Sequence, residues 1–381
     1  MNKKLIGLFA VGFIAASTSL YANGTPAPSA AAEGVEISGA VDVVTVYQHD
    51  DKDAFTGANF GGIGDFGLTN AGDRDTFGFL INEVELDLAK TFGENIRLRS
   101  DIDFTNLTNT TGAAGVRLEQ AYVTANLGVG NGMEFLIGSF NAPIGNDSVD
   151  IRDNWLVSHN NTFRYLTPAN TTGAKLYYAF SDLVDWHFAV VNDLNDNGFA
   201  DSALPSVLNR LGFNWGEEGN KNKVGLAIGV GPENTGHNAH WDWLGDVDAM
   251  FALGDNVDLA LEAAYRQTND PTPASGISNQ KAFGAVAAIN YQASDVWDVT
   301  FRADWLWDLN NPALAGGAST TGTNWNGAFE GTLLGGSVGA GYAITDGAKL
   351  KMEYRFDFAA VSGPANNSDY HSLLAEFAYS F

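Results

Sequence analysis

Between Leu350 and Phe358 the chain alternates oily and ionic side chains without a break: Leu350, Met352, Tyr354, Phe356 and Phe358 stand between Lys351, Glu353, Arg355 and Asp357. Only an extended strand places every second residue on one face, so the pattern predicts a strand with one wholly apolar side and one wholly charged side. The same division recurs over 96–104, where Ile96, Leu98, Ile102 and Phe104 face Arg97, Arg99, Asp101 and Asp103. It recurs again over 257–266 and 299–308. Carboxylates and guanidinium groups arrayed on a shared wet face set a local potential that sorts ions and orients dipoles, and they do so without any covalent step.

Collected strand by strand, the charged faces supply Glu83, Glu85, Asp87, Asp101, Asp103, Asp242, Asp246, Asp248, Asp258, Glu262, Asp304, Asp308, Glu353, Asp357 and Glu376. Against them stand Arg97, Arg99, Arg266, Arg302, Lys351 and Arg355. If these faces enclose water, the surplus of acids predicts a preference for cations. Pairing of acids with bases across neighbouring strands is the competing use of the same residues, each pair contributing about 0.2–1 kcal/mol.

Other chemistries are poorly served. Gly335, Gly336, Ser337, Val338 and Gly339 match the glycine-flanked serine of hydrolases, but that serine needs a strand-to-helix turn, and here it lies within an alternating strand. His237 and His240 form the one close histidine pair in the sequence and have no third ligand nearby, so no metal is assigned. Asp193, Asn195, Asn197 and Asp201 follow the first positions of a calcium loop, but Leu204 stands where the bidentate glutamate belongs, leaving at most weak divalent-ion binding. There is no cysteine, which excludes thiol chemistry and a disulfide framework.

The elements that must position the charged faces follow from the ends inward. Lys3 and Lys4 precede an apolar run from Leu5 to Ala16, with small residues leading to cleavage after Ala22, which reads as an export signal over 1–22. An Ala-, Pro-, Ser- and Gly-rich leader follows over 23–34. Cleavage removes two of 20 basic residues and none of 45 acidic ones, taking the net charge from -25 to −27 and excluding nucleic acid as a partner. No later segment approaches the roughly 20 consecutive apolar residues that a membrane helix needs. The remaining way to satisfy every backbone group in hydrocarbon is a closed barrel.

Residues 35–381 are thus predicted to form one all-β domain, a transmembrane antiparallel up-and-down barrel of about sixteen strands, with 14 or 18 if one hairpin is misread. The expected strands are 35–47, 77–89, 96–104, 116–127, 133–140, 173–180, 186–193, 207–216, 223–231, 241–253, 257–266, 281–291, 298–308, 330–344, 348–358 and 371–381. Short turns such as 90–95, 254–256 and 345–347 alternate with long polar loops, the pattern of outer-membrane barrels. Outward aromatics gather near the long loops (Trp241, Trp243, Tyr265, Trp305, Trp307, Phe356, Phe358) and near the short turns (Trp215, Tyr291, Trp297, Tyr342, Tyr379), as two interfacial girdles require.

The last strand ends Glu376, Phe377, Ala378, Tyr379, Ser380, Phe381, with aromatics at alternate positions and a terminal Phe. It resembles the signal that outer-membrane barrels present to their assembly machinery. More broadly, 35–47, Glu-Gln-Ala-Tyr-Val-Thr at 119–124, Gly-Ser-Phe-Asn-Ala-Pro-Ile-Gly at 138–145 and 163–173 are similar to the OmpL-like β-barrel porin family. That resemblance implies passive diffusion of small polar solutes or ions across a bacterial outer membrane. It implies no enzyme activity and no cofactor, and a homotrimer is an assembly it allows. In general porins the third external loop narrows the channel. By analogy 141–172, with Asp147, Asp150, Arg152 and Asp153, is expected to face Arg97, Arg99 and Arg117 across a constriction. A surface receptor or adhesin with a plugged lumen is the alternative.

Overall fold

The computed structural model describes residues 34–50, 75–105, 115–194, 204–217, 222–234, 239–269, 279–308, 331–361 and 368–381. The export signal, and all of the leader but Gly34, lie outside them. The described chain folds into sixteen strands. The first eight are β1 (Glu36–Asp50), β2 (Asp75–Phe92), β3 (Ile96–Thr105), β4 (Gly115–Asn126), β5 (Glu134–Asn141), β6 (Asn170–Ala179), β7 (Val184–Val191) and β8 (Ser206–Trp215). The second eight are β9 (Asn222–Asn234), β10 (Ala239–Ala252), β11 (Val257–Asn269), β12 (Asn279–Gln292), β13 (Trp297–Asp308), β14 (Gly331–Thr345), β15 (Ala348–Val361) and β16 (Ser368–Ser380). One short helix, α1 (Asn161–Tyr165), and a single 3-10 turn (Ile151–Asp153) lie in the long connection between β5 and β6.

Each strand pairs antiparallel with its sequence neighbours, and β1 pairs with β16 from Ala40 opposite Ser380 to Asp50 opposite Tyr370, which closes the barrel. Closure leaves no edge strand, so no row of backbone groups is left unpaired in hydrocarbon. Several strands run further than the alternation of oily residues predicts. β11, for example, continues through Gln267, Thr268 and Asn269, which pair with Lys281, Gln280 and Asn279. Backbone pairing needs no apolar side chain once the strand has left the hydrocarbon.

The two faces divide as the alternation requires. On β15, Met352 and Tyr354 are 60% and 40% exposed, whereas Lys351 and Arg355 are 1% and 0% exposed. Exposed apolar area on this scale suits a lipid environment. At the rim carrying the long connections, Trp305 stacks on Trp307 at 5.9 Å and meets Phe283 edge-on at 5.7 Å. At the rim of short turns, Trp297 lies 4.7 Å from Tyr342 and Trp215 6.1 Å from Phe251.

The interior also holds apolar clusters that the alternation did not reveal. Val44, Val46, Leu80 and Leu374 pack with Ile151 and Val157 of the long connection. Tyr165 and Leu166 pack with Ala264, Ala282, Leu306, Leu333, Ala359 and Tyr370. Each large apolar side chain so buried contributes about 1.5–3 kcal/mol to holding that connection against the wall. Gly138, just before the connection leaves β5, has φ +138°, and a Cβ there would lie 2.1 Å from the Ala121 carbonyl oxygen. Only glycine permits that close approach.

Candidate constriction inside the barrel

The connection 142–169 is closed at its neck by the Ala142 N–H donating to the Ala169 carbonyl at 2.8 Å. From there it touches β2 on one side and β11 on the other, strands seven steps apart in a ring of sixteen. Such contacts are made only from within the lumen. The loop is braced internally. Ser148 N–H donates to Asn154 Oδ1 at 2.7 Å while Asn154 Nδ2 returns a bond to the Ser148 carbonyl at 3.0 Å. Asn160 caps α1 by accepting from the Phe163 N–H at 2.8 Å, and its own N–H donates to Asp147 Oδ2 at 2.8 Å.

The charged face of β13 and β15 grips the loop backbone. Glu353 Oε2 accepts from the N–H groups of Val157 and Ser158, both at 2.8 Å, and Oε1 accepts the Ser158 hydroxyl at 2.8 Å. Arg302 donates to the Ser158 carbonyl at 2.6 Å and Arg355 to the His159 carbonyl at 2.9 Å. Lys351 reaches the carbonyls of Ile151 (2.5 Å), Asn154 (3.1 Å) and Leu156 (3.4 Å), with Glu376 at 2.5 Å as its counter-ion. Arg355 also pairs with Asp357 at 2.7 Å and Asp304 at 3.2 Å. On β11, Glu262 accepts the Asn146 N–H at 2.9 Å. These are buried charges with hydrogen-bond partners, the condition under which burial of charge is tolerated.

At the opposite side the loop meets β2. Arg152 donates to Glu83 at 2.9 Å, contacts Glu85, and pairs with Asp150 at 3.0 Å. Next to these acids Arg117 holds Asp103 at 2.7 Å and stands 3.6 Å from Glu119. The arrangement differs from the expectation of loop acids facing wall arginines: the loop offers a guanidinium and the β2 wall offers carboxylates. Of the three wall arginines, Arg117 lies beside this cluster with its side chain 48% exposed to the lumen. Arg99 pairs within its own strand with Asp101 at 2.8 Å, and Arg97 pairs with Glu36 at 2.8 Å near the turn rim. Burial pushes the Asp153 carboxyl up to about 6, with Arg152 opposing and Asp150 reinforcing the rise. Between loop and wall a small recess is lined by Asp147, Trp155, Thr300 and Arg302 among others.

The remaining predicted positions fall as follows. Asp258 lies half-buried near the turn rim of β11. Phe377 and Tyr379 point outward, and Phe381 exchanges backbone bonds with Gly39 at 3.0 and 3.2 Å. Asp193 is described, whereas Asn195, Asn197 and Asp201 of the calcium candidate, and His237, are outside the described residues. Ser337 is buried, faces inward in mid-strand and accepts from Arg302 at 3.4 Å.

Sequence reasoning missed several inward charges. Asp42 on β1 is fully buried and accepts from Asn82 at 2.8 Å. Arg210 on β8 pairs with Asp248 at 2.7 Å, and Lys175 on β6 lies 4.9 Å from the Phe140 ring. Their strands alternate weakly, so the charge alone was the signal. Counting residues from the clear inward position of Asp248 across the β9 register places Arg210 on the same face.

Solved structures of similar fold include the outer-membrane channel DcaP of Acinetobacter baumannii, with a TM-score of 0.63, 14% identity, and coverage of 93% of this chain and 100% of that one. An anion-selective porin from Comamonas acidovorans matches with a TM-score of 0.60 and 13% identity over 91% and 99% of the two chains. A trimer form of OmpT from Vibrio cholerae matches with a TM-score of 0.54 and 12% identity over 91% and 99%. No curated protein matches the chain. A family profile described as beta-barrel porin-2, OmpL-like, matches residues 34–381, and the chain therefore belongs to that family of outer-membrane barrels.

Proposed function

We propose that this barrel is a passive diffusion channel for small polar solutes and ions, with a preference for cations, and that it carries no catalytic site. The observation that carries the reading is the loop 142–169 lying inside a closed sixteen-strand wall whose inner face is ionic and whose outer face is apolar. Under this reading the loop sets the narrowest section, with Asp147, Asp150, Arg152 and Asp153 on one side and Arg117, Asp103, Glu83 and Glu85 on the other. Residues 1–22 direct export and are removed, and the final strand with Phe377, Tyr379 and Phe381 presents the chain for assembly. The trimer among its structural neighbours supports a homotrimer.

Cation preference rests on the acids at the loop tip and along β2, β10 and β16, which exceed their bases even after Arg210 and Lys175 are added. Inward, buried placement of Ser337 supports the absence of lipid hydrolysis, because a lipid substrate would approach the outer wall. Reconstitution into planar bilayers tests the whole reading. Steady single-channel conductance with a cation-selective reversal potential in a salt gradient is expected. A silent barrel favours the receptor alternative, and an anion-selective reversal potential removes the charge assignment alone.

A further inference from the structure

We propose that His49 and His371 form a binding site for a divalent transition-metal ion of the Zn2+ or Cu2+ class on the outer wall, spanning the seam where the first and last strands close the barrel. The two residues stand directly opposite one another on β1 and β16, with ring centroids 6.4 Å apart. They are 322 positions apart in the chain, so only closure of the barrel brings them together. Both belong to the outward rows of their strands, next to the exposed Tyr47 and Leu373, and lie within a few residues of the rim of long connections.

Each imidazole is already oriented through one nitrogen. His49 Nδ1 is 2.9 Å from Asp75 Oδ1, and Asp75 is itself fixed by the Tyr47 hydroxyl donating at 2.8 Å. Asp75 stands opposite His49 on β2, so the row His371, His49, Asp75 crosses three adjacent strands. His371 Nδ1 is 2.7 Å from the Tyr354 hydroxyl oxygen. A partner on Nδ1 leaves Nε2 to ligate, which is the way metal-binding imidazoles are generally held, with a carboxylate or other oxygen behind them.

Metal–nitrogen bonds of about 2.0–2.1 Å place two imidazole centroids roughly 5 Å apart around a tetrahedral ion, so a closing movement of about 1 Å completes the pair. Imidazole donors select zinc, copper or nickel over calcium and magnesium. The side chains of His49 and Asp75 are 43% and 61% exposed, and at the rim of the barrel, where the strands end, water is the ligand that completes the open coordination positions under this proposal. A hydrogen-bonded interfacial belt explains the tyrosines and the aspartate, but not two imidazoles placed opposite each other across the seam. An ion held here ties β1 to β16 and stabilises the closed barrel in proportion to its occupancy.

The test uses the folded full chain in detergent micelles, with His237→Asn and His240→Asn introduced to remove the one other close histidine pair of the sequence, and Cu2+ as the probe. The expected electron paramagnetic resonance spectrum carries the splitting of two imidazole nitrogens. His49→Asn and His371→Asn each reduce it to one, and Asp75→Asn weakens binding by about 10- to 100-fold. Conductance of His49→Asn, His371→Asn and Asp75→Asn stays that of their His237→Asn, His240→Asn parent, because these three side chains stand on the outward rows of their strands, and that control shows that they fold. Zn2+ is expected to raise the heat-unfolding midpoint of the parent, an effect that EDTA reverses. A parent spectrum with one nitrogen, or one unaltered by His371→Asn, overturns the site.

Discussion

Ser158 and Glu353, 195 residues apart in sequence, are joined by two hydrogen bonds of 2.8 Å inside the barrel, one from the serine amide and one from its hydroxyl. This is the contact through which the wall of β15 fixes the position of the inner loop. The carboxylate also takes the Val157 amide and stands 3.5 Å from Arg302, so four groups depend on one side chain. Glu353→Ala leaves two loop amides and the Ser158 hydroxyl without this acceptor and leaves Arg302 with Asp304, at 3.3 Å, as its remaining carboxylate, a loss of about 1–3 kcal/mol for each group left unsatisfied. Single-channel recordings are expected to show larger and noisier conductance as the loop detaches. An unchanged, quiet conductance counts against docking of the loop through Glu353.

On the proposed channel reading, Arg152 is the charge that distinguishes the two sides of the constriction. It is the base that contacts Glu83, Glu85 and Asp150, and its replacement by Gln leaves these three acids without it. Arg152→Gln is expected to shift the reversal potential towards stronger cation preference, and Arg152→Glu to shift it further. The experiment is a zero-current potential measured in a tenfold salt gradient. No change in either variant would place the ion path away from the loop tip.

How far the sequence predicted this arrangement depended on how each strand meets its surroundings. β15 was legible because its outward row is apolar and its inward row is a polar network, so Lys351, Glu353, Arg355 and Asp357 repeat without a break. β1 was not, because Val41 and Val43 face outward while Val44 and Val46 pack against the loop, and both faces are oily. The loop's length and charge were legible. Its partners were not, since Glu353, Lys351 and Arg302 lie about 150–200 residues downstream and nothing local encodes that pairing.

On the same reading Asp153 is expected to make the inner loop respond to acid. Burial raises its carboxyl from 3.8 to about 6, with Arg152 and Lys351 opposing the rise and Asp150 and Glu376 adding to it. Because the folded value lies above the unfolded one, docking of the loop is most stable below about pH 4 and loses that stability as pH rises to about 6, at about 1.4 kcal/mol per unit of difference. Above pH 6 the extra negative charge also draws cations. Conductance and cation preference are expected to rise together between pH 4 and 6, and Asp153→Asn to flatten that step. A step of equal size in the variant would assign the transition to another group.

Met352 and Lys351 are adjacent on β15, yet one meets solvent-accessible space outside the barrel and the other is enclosed with Glu376. If lipid covers the outer row, a charge at 352 must be carried into hydrocarbon near the middle of a strand running from Ala348 to Val361. That costs about 2–4 kcal/mol for Arg or Lys at the midplane and falls towards zero at the interface. Met352→Arg is therefore expected to lower the stability of the barrel folded into liposomes by that amount, and Phe358→Arg, close to the loop rim, to cost about 1 kcal/mol or less. The depth dependence is the discriminating feature, because a soluble or protein-covered surface has no midplane. Equal, small penalties at 352 and 358 would mean that this face of β15 does not lie against lipid.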